Sequence, residues 1–187
     1  MPDRDEVTRG VRLLLRRLGE DPGREGLERT PERVMETLEY LTRGLREDID
    51  DLVADGLFEE ASGDLVLVRN IEFVSLCEHH MLPFTGHAHV GYIPDGRILG
   101  LSKIARVVDH FACRLQVQER LTRQIADYLV GIVKPRGLGV VVRATHLCMV
   151  ARGVRKQESE VVSSAWRGSL DSDTRTREEF LQGIRGH

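Results

Sequence analysis

The chain has 187 residues, 41% of them hydrophobic and 30% charged, which suits one compact soluble domain or one domain with a helical appendage. Its net charge of −3 gives no field that favours a nucleic-acid polyanion, so any anion site must be local. No apolar run approaches a bilayer span, and the polar stretch from Met1 to Glu6 precedes no apolar signal core; the expectation is a cytoplasmic protein with no membrane and no nucleic-acid partner.

Val7, Val11, Leu14, Leu15 and Leu18 fall on one helical face, and Asp21-Pro22-Gly23 ends that helix. Thr30-Pro31 reads as the cap and first residue of a second helix, whose stripe is Val34, Leu38, Leu41 and Leu45. The first third is therefore expected to be helical, and residues 1–63 are set apart as an N-terminal helical region. From Leu65 the pattern changes. Leu65–Val68 with Ile71–Val74, and then His87–Ile93, read as strands, the second ended by Pro94-Asp95-Gly96. Ser102 is placed as the cap of a helix with Ile104, Val107, Val108 and Phe111 inward. A longer helix carries Val117, Leu121, Ile125, Tyr128, Leu129 and Ile132, and stops at Lys134-Pro135-Arg136-Gly137. Gly139–Cys148 and Glu160–Trp166 read as strands, and Thr174–Ile184 as a closing helix. This order predicts an α+β fold: an antiparallel four-stranded sheet with two helices on one face, over residues 64–187. Such a sheet leaves a face and two edges uncovered, which oligomerisation would cover.

The three cysteines, Cys77, Cys113 and Cys148, form an odd set with no secretory context, which argues against a disulfide framework. Cys77 and His80, three apart in Cys77-Glu78-His79-His80, can reach one ion from a tight turn. His146 and Cys148, two apart in a strand, would share a face. If the segments meet, Cys77, His80 and Cys148 form a Cys2His set suited to zinc, with a fourth position open as in catalytic sites. His79 and His146 are then candidate acid–base groups beside the metal. Cys113, mid-helix, reads as a buried inert thiol. His87 and His89 read as surface or sheet-packing residues, and His187 is uninformative.

Ser102, Lys103 and Arg106 lie in the first turns of a helix, with Lys103, Arg106 and His110 opposite its apolar stripe. A helix start with a hydroxyl and two cations suits phosphate, although the same residues also describe a plain solvated basic face. Arg152, four residues past Cys148, would add a cation near the metal. Gln118 and Glu119 open the long helix. A carboxylate there favours the helix dipole, and it can also accept both N–H donors of a guanine edge.

These segments together resemble GTP cyclohydrolase I. The resemblance rests on Cys77-Glu78-His79-His80, Gly91-Tyr92-Ile93-Pro94, Leu101-Ser102-Lys103-Ile104, Gln116-Val117-Gln118-Glu119-Arg120-Leu121-Thr122, His146-Leu147-Cys148-Met149 and Ala151-Arg152-Gly153-Val154, and it covers roughly Thr30 to the C-terminus. It implies hydrolysis of GTP to 7,8-dihydroneopterin triphosphate and formate, the entry to folate and pterins. Zinc would be held by Cys77, His80 and Cys148 and would activate a water for attack at C8. His146 would protonate N7, with His79 as the second acid–base group. Gln118 and Glu119 would read guanine, while Ser102, Lys103, Arg106 and Arg152 would hold the triphosphate. The implied fold is the tunnelling fold, assembled as a homodecamer of two pentamers with sites at subunit interfaces. The chain departs from the common pattern at His87, Cys113 and Trp166, none of which is a mapped site position. No long regulatory tail is expected before the first helix. Two other readings remain: a nitrile reductase of the same fold, which would need a catalytic Cys and nicotinamide, and a binding module with structural zinc, which would need a fourth protein ligand.

Overall fold

The computed structural model describes residues 3–61 and 63–185; His187 lies outside the described residues. In chain order the elements are α1 (Arg4–Arg17), α2 (Thr30–Leu41), a 3-10 turn (Arg43–Leu45), α3 (Ile49–Val53), β1 (Leu57–Glu59), β2 (Val66–Cys77), β3 (Pro83–Ile93), β4 (Arg97–Leu99), α4 (Leu101–Ala112), β5 (Leu115–Gln116), α5 (Gln118–Val133), β6 (Gly137–His146), α6 (Leu147–Val150), β7 (Val161–Gly168), α7 (Ser169–Ser172) and α8 (Thr174–Arg185). It is a mixed helix and sheet fold. No helix among the described residues is long and apolar enough to cross a membrane.

The sheet differs in detail from the four antiparallel strands expected. β2, β3, β6 and β7 are antiparallel neighbours in that order, but the two-residue β5 adds a fifth strand, parallel to β2. β1 pairs with β4 in a separate two-stranded sheet, so the first third is not wholly helical. These three short strands escape a periodicity argument because two or three residues cannot display a period.

The two segments read as separate strands, Leu65–Val68 and Ile71–Val74, are one long strand interrupted by a bulge. The register against β3 shifts between Val68 and Ile71, and Asn70 takes the left-handed conformation at φ 58°. The bulge donates the Asn70 backbone N–H to His89 Nδ1 at 3.3 Å. α4 packs on β2, and α5 on β6 and β7. Their shared core includes Phe73, Phe84, Val90, Ile104, Val108, Leu121, Ile125, Leu138, Val140 and Val142. A second cluster joins Val141, Leu170 and Phe180, with Trp166 against it. Trp166 lies opposite Gly139 across the β6–β7 ladder and meets the Phe180 ring edge-on at 5.2 Å. A side chain on Gly139 would collide with the indole, so a large residue on one strand is matched by none on the other.

Three local expectations are corrected. Gly100, not Ser102, occupies the N-cap of α4, without a side-chain cap hydrogen bond. His110 is buried rather than solvent-facing, at 3% exposure. β6 ends at His146, and Cys148 sits in the single turn of α6, not on the strand. Leu13, Leu14 and Leu18 leave an apolar face of α1 exposed.

Candidate metal centre and its surroundings

The β2–β3 connection is a tight turn that begins at Cys77. Cys77 N–H donates to Leu82 O at 2.9 Å, Met81 N–H donates to Cys77 O at 2.8 Å, and Met81 is left-handed at φ 54°. This curls Cys77 and His80 toward each other, with Cys77 Sγ 3.9 Å from His80 Nδ1. β5 clamps the other side: Cys77 is in register with Gln116, and Glu78 N–H donates to Gln116 O at 3.0 Å.

Cys148 arrives from a different direction. β3 and β6 pair Phe84 with His146, so the end of β6 stands beside the start of β3, and the α6 turn swings Cys148 back over it. The ligand atoms of Cys77, His80 and Cys148 all lie within 4.8 Å of one another, the one such group of metal-ligating side chains among the described residues. Two sulfurs and an imidazole at these separations fit one small ion in tetrahedral coordination. Burial pushes the Cys148 thiol up and Cys77 adds to the rise, while Arg152 pulls it down. A bound cation would favour the thiolate, because thiolates are the ligating form.

His79 is exposed, its Nδ1 3.8 Å from Cys77 Sγ. His146 is half-buried and stacks on Phe84 with ring centroids 4.4 Å apart and planes 2° from parallel. Its Nε2 lies 2.9 Å from Gln118 Oε1. Burial lowers the His146 pKa, and the charge of Glu119 opposes that. Glu119 is exposed and Gln118 is buried at 1% exposure. Arg152 is exposed in the turn after α6.

Three side chains that sequence reasoning passed over support this region. Arg120 is ion-paired with Glu78 in the metal turn and donates from Nε to Gln116 Oε1 at 3.1 Å. Gln116, 1% exposed, donates in turn to Phe111 O and Gln124 Oε1. Phe84 supplies the platform under His146. Gln116 and Arg120 stand in a quoted motif, but nothing in their spacing said that they would reach back to residue 78.

The remaining cations are not brought to this centre. Ser102, Lys103 and Arg106 lie in the first two turns of α4, whereas the end of α4 near Cys77 is its C-terminus, which leads into β5. At 1.5 Å per residue, Ser102 is about 15 Å along the axis from that end. Lys103 Nζ is used within the chain, donating to Ala54 O at 2.8 Å and Leu52 O at 3.1 Å. Arg106 is exposed.

A mixed α/β chain with a Cys–His–Cys cluster able to hold a metal, flanked by a stacked histidine and an exposed carboxylate, has the parts of a metal-assisted hydrolase. The family model described as GTP cyclohydrolase I matches residues 7–185. A Nostoc sp. protein named GTP cyclohydrolase 1 2 is 54% identical over 180 residues, which are 96% of this chain and 83% of that protein. Proteins named GTP cyclohydrolase 1 from Chlorobaculum tepidum and Leptospira biflexa are 53% and 55% identical, over 99% and 94% of this chain and 85% and 96% of theirs. The solved apo structure of the archaeosine synthase QueF-Like aligns at a TM-score of 0.49 and 21% identity, over 58% of this chain and 97% of that one. The chain belongs to the GTP cyclohydrolase I family.

Proposed function

We propose that the chain hydrolyses GTP at guanine C8 to give 7,8-dihydroneopterin triphosphate and formate, the first step of folate and pterin biosynthesis, in the cytoplasm. The observation that carries the reading is the meeting of Cys77, His80 and Cys148 beside His146, from two segments whose nearest ligands, His80 and Cys148, are 68 residues apart. Zinc is the metal the donor set suits, and when bound it supplies a Lewis acid able to activate water near neutral pH.

The chain's own groups divide the remaining work. Glu119, exposed and close enough to raise the His146 pKa, is placed to accept the two N–H donors of guanine, a pair that adenine does not present. His146 delivers the proton to N7 that makes C8 electrophilic, and His79, at the mouth of the metal turn, handles protons of the opening ring. Arg152, beside Cys148, holds phosphate. Ser102, Lys103 and Arg106 complete that grip from a second copy of the chain, because within one chain they lie a helix length from the metal.

That division favours a homo-oligomer. A decamer of two pentameric rings, with the tunnelling fold of residues 64–187 forming the barrels and the helical region 1–63 packing between them, would cover the edge of β7, the part of β2 that β5 leaves unpaired and the exposed leucines of α1. The test is incubation of zinc-loaded protein with GTP, following formate and, after oxidation, a fluorescent pterin. A stoichiometrically metallated, assembled protein that produces neither refutes the proposal.

A further inference from the structure

Gln118 carries a network whose hydrogen-bond directions can be assigned donor by donor. It opens α5 at 1% exposure, and its amide nitrogen lies 3.0 Å from Val142 O, 3.0 Å from Val161 O and 3.1 Å from Ser163 Oγ. Two of those three are backbone carbonyls of β6 and β7, which can only accept, so the NH2 must face the strands. The Thr122 hydroxyl donates to Gln118 O at 2.8 Å, which leaves Ser163 to donate to Thr122 Oγ1 at 2.7 Å and to turn a lone pair toward the amide. Every donor of the amide is thereby spent on the sheet. Its oxygen is forced to the opposite side, 2.9 Å from His146 Nε2. An amide oxygen only accepts, so Nε2 must carry the hydrogen. Stacking on Phe84 fixes the ring plane, and the hydrogen bond fixes rotation within that plane.

We propose that Gln118 is a positioning residue that locks the neutral His146 ring in the Nε2–H tautomer, so that Nδ1 is the atom that takes up a proton from solvent and then passes it to substrate, and that it does not read the base. This assignment rests on the proposed role of His146 and replaces the base-reading role expected of Gln118. A buried amide with both hydrogens committed to carbonyls has nothing to offer guanine without breaking α5 away from β6 and β7, whereas its neighbour Glu119 is exposed. The tautomer is decided by the same logic as in a catalytic triad, where a fixed acceptor on one ring nitrogen reserves the other for chemistry.

The experiment has a structural and a kinetic arm on the zinc-loaded protein. Solid-state NMR of the 15N-histidine-labelled protein, with His146 assigned by loss of its signals in His146→Gln, should show a protonated Nε2 and an unprotonated Nδ1 in the neutral ring. An Nδ1–H ring overturns the proposal whatever the activity. In Gln118→Met, kcat for GTP should fall at least about tenfold, but no further than in His146→Ala, with KM and zinc content unchanged. Adding His146→Ala to Gln118→Met should cost little more. A rise in KM with kcat intact, or a loss of preference for GTP over ITP, which lacks the 2-amino group, makes Gln118 a base reader and overturns the proposal. If Gln118→Met fails to assemble, the tautomer in the unaltered protein still decides. If the unaltered protein turns over no GTP, the proposed function fails separately, and the ring protonation still reports on Gln118.

Discussion

The two ends of α4 differ in how far a single chain completes them. At the C-terminal end, Phe111, Gln116, Gln124, Arg120 and Glu78 form one run of hydrogen bonds and an ion pair that ends in the metal turn. At the N-terminal end, Ser102 and Arg106 are exposed, and Lys103 rests on the last carbonyls of α3. Metal coordination tolerates errors of only a few tenths of an ångström, so its supports are built from the same chain. Phosphate binding by flexible cations is more forgiving, and a helix start can be lent to a neighbouring copy.

The comparison breaks most directly at the metal end. Cys77→Ser, His80→Ala and Cys148→Ser should each abolish both zinc retention and turnover, while Cys113→Ser, at a buried position whose carbonyl accepts from Gly44 N–H of the 3-10 turn, should alter neither. Metal analysis after gel filtration checks this, and stoichiometric zinc in Cys148→Ser would remove that residue from the ligand set. His146→Ala should keep its metal and lose about 10²–10⁴-fold in turnover, the usual worth of a positioned acid or base. Loss of zinc in that variant would make His146 a ligand instead.

Co-expression sharpens the contrast between the ends. Cys148→Ser and Arg106→Ala chains should each form impaired assemblies, with Arg106→Ala raising KM for GTP more than it lowers kcat. Mixed assemblies should recover activity, because a site that takes its metal from one chain and its α4 cations from another can be intact. Recovery no greater than the sum of the separate variants would place both groups on one chain's site.

The smallest effect concerns acid stability on the sheet face away from the metal. His89 is buried, and desolvation together with Arg143, His87 and Arg69 lowers its pKa, against a rise from Glu160. A histidine with a depressed folded pKa contributes stability that is fully present above its unfolded value of 6.5 and is lost as pH falls from there through the folded pKa, since the unfolded chain takes up the proton first. Protonation also turns the Nδ1 acceptor of the Asn70 N–H into a donor. Thermal scans should therefore show a falling midpoint below pH 6.5, and His89→Gln should flatten that slope by on the order of 2–4 °C. An unchanged slope would assign the acid sensitivity elsewhere, His110 being the next candidate because burial and Arg114 depress it too.

Much of the molecule was legible before any coordinates. Long elements carry their period many times over, so α1, α2, α4, α5, β3, β6, β7 and α8 were each read to within a few residues. The motif spacing also singled out Cys77, His80 and Cys148 as a possible set, and the family resemblance named the chemistry. Misreadings fell where the local signal is short or ambiguous. Gly100 and Ser102 are both acceptable helix starts, and only the approach of Gly100 N–H to Gly56 O decides between them. Cys148 continued a β-branched run, yet the chain turns after His146, where β3 begins and the ladder has no further partner. Sequence therefore determined which side chains are candidates for the chemistry, because residue type and periodicity are local properties. Only the tertiary structure decided that Gln118 faces inward while Glu119 faces out, that Arg120 reaches Glu78, and that the α4 cations stand apart from the metal. Those outcomes depend on contacts between segments far apart in the chain, and no local pattern encodes them.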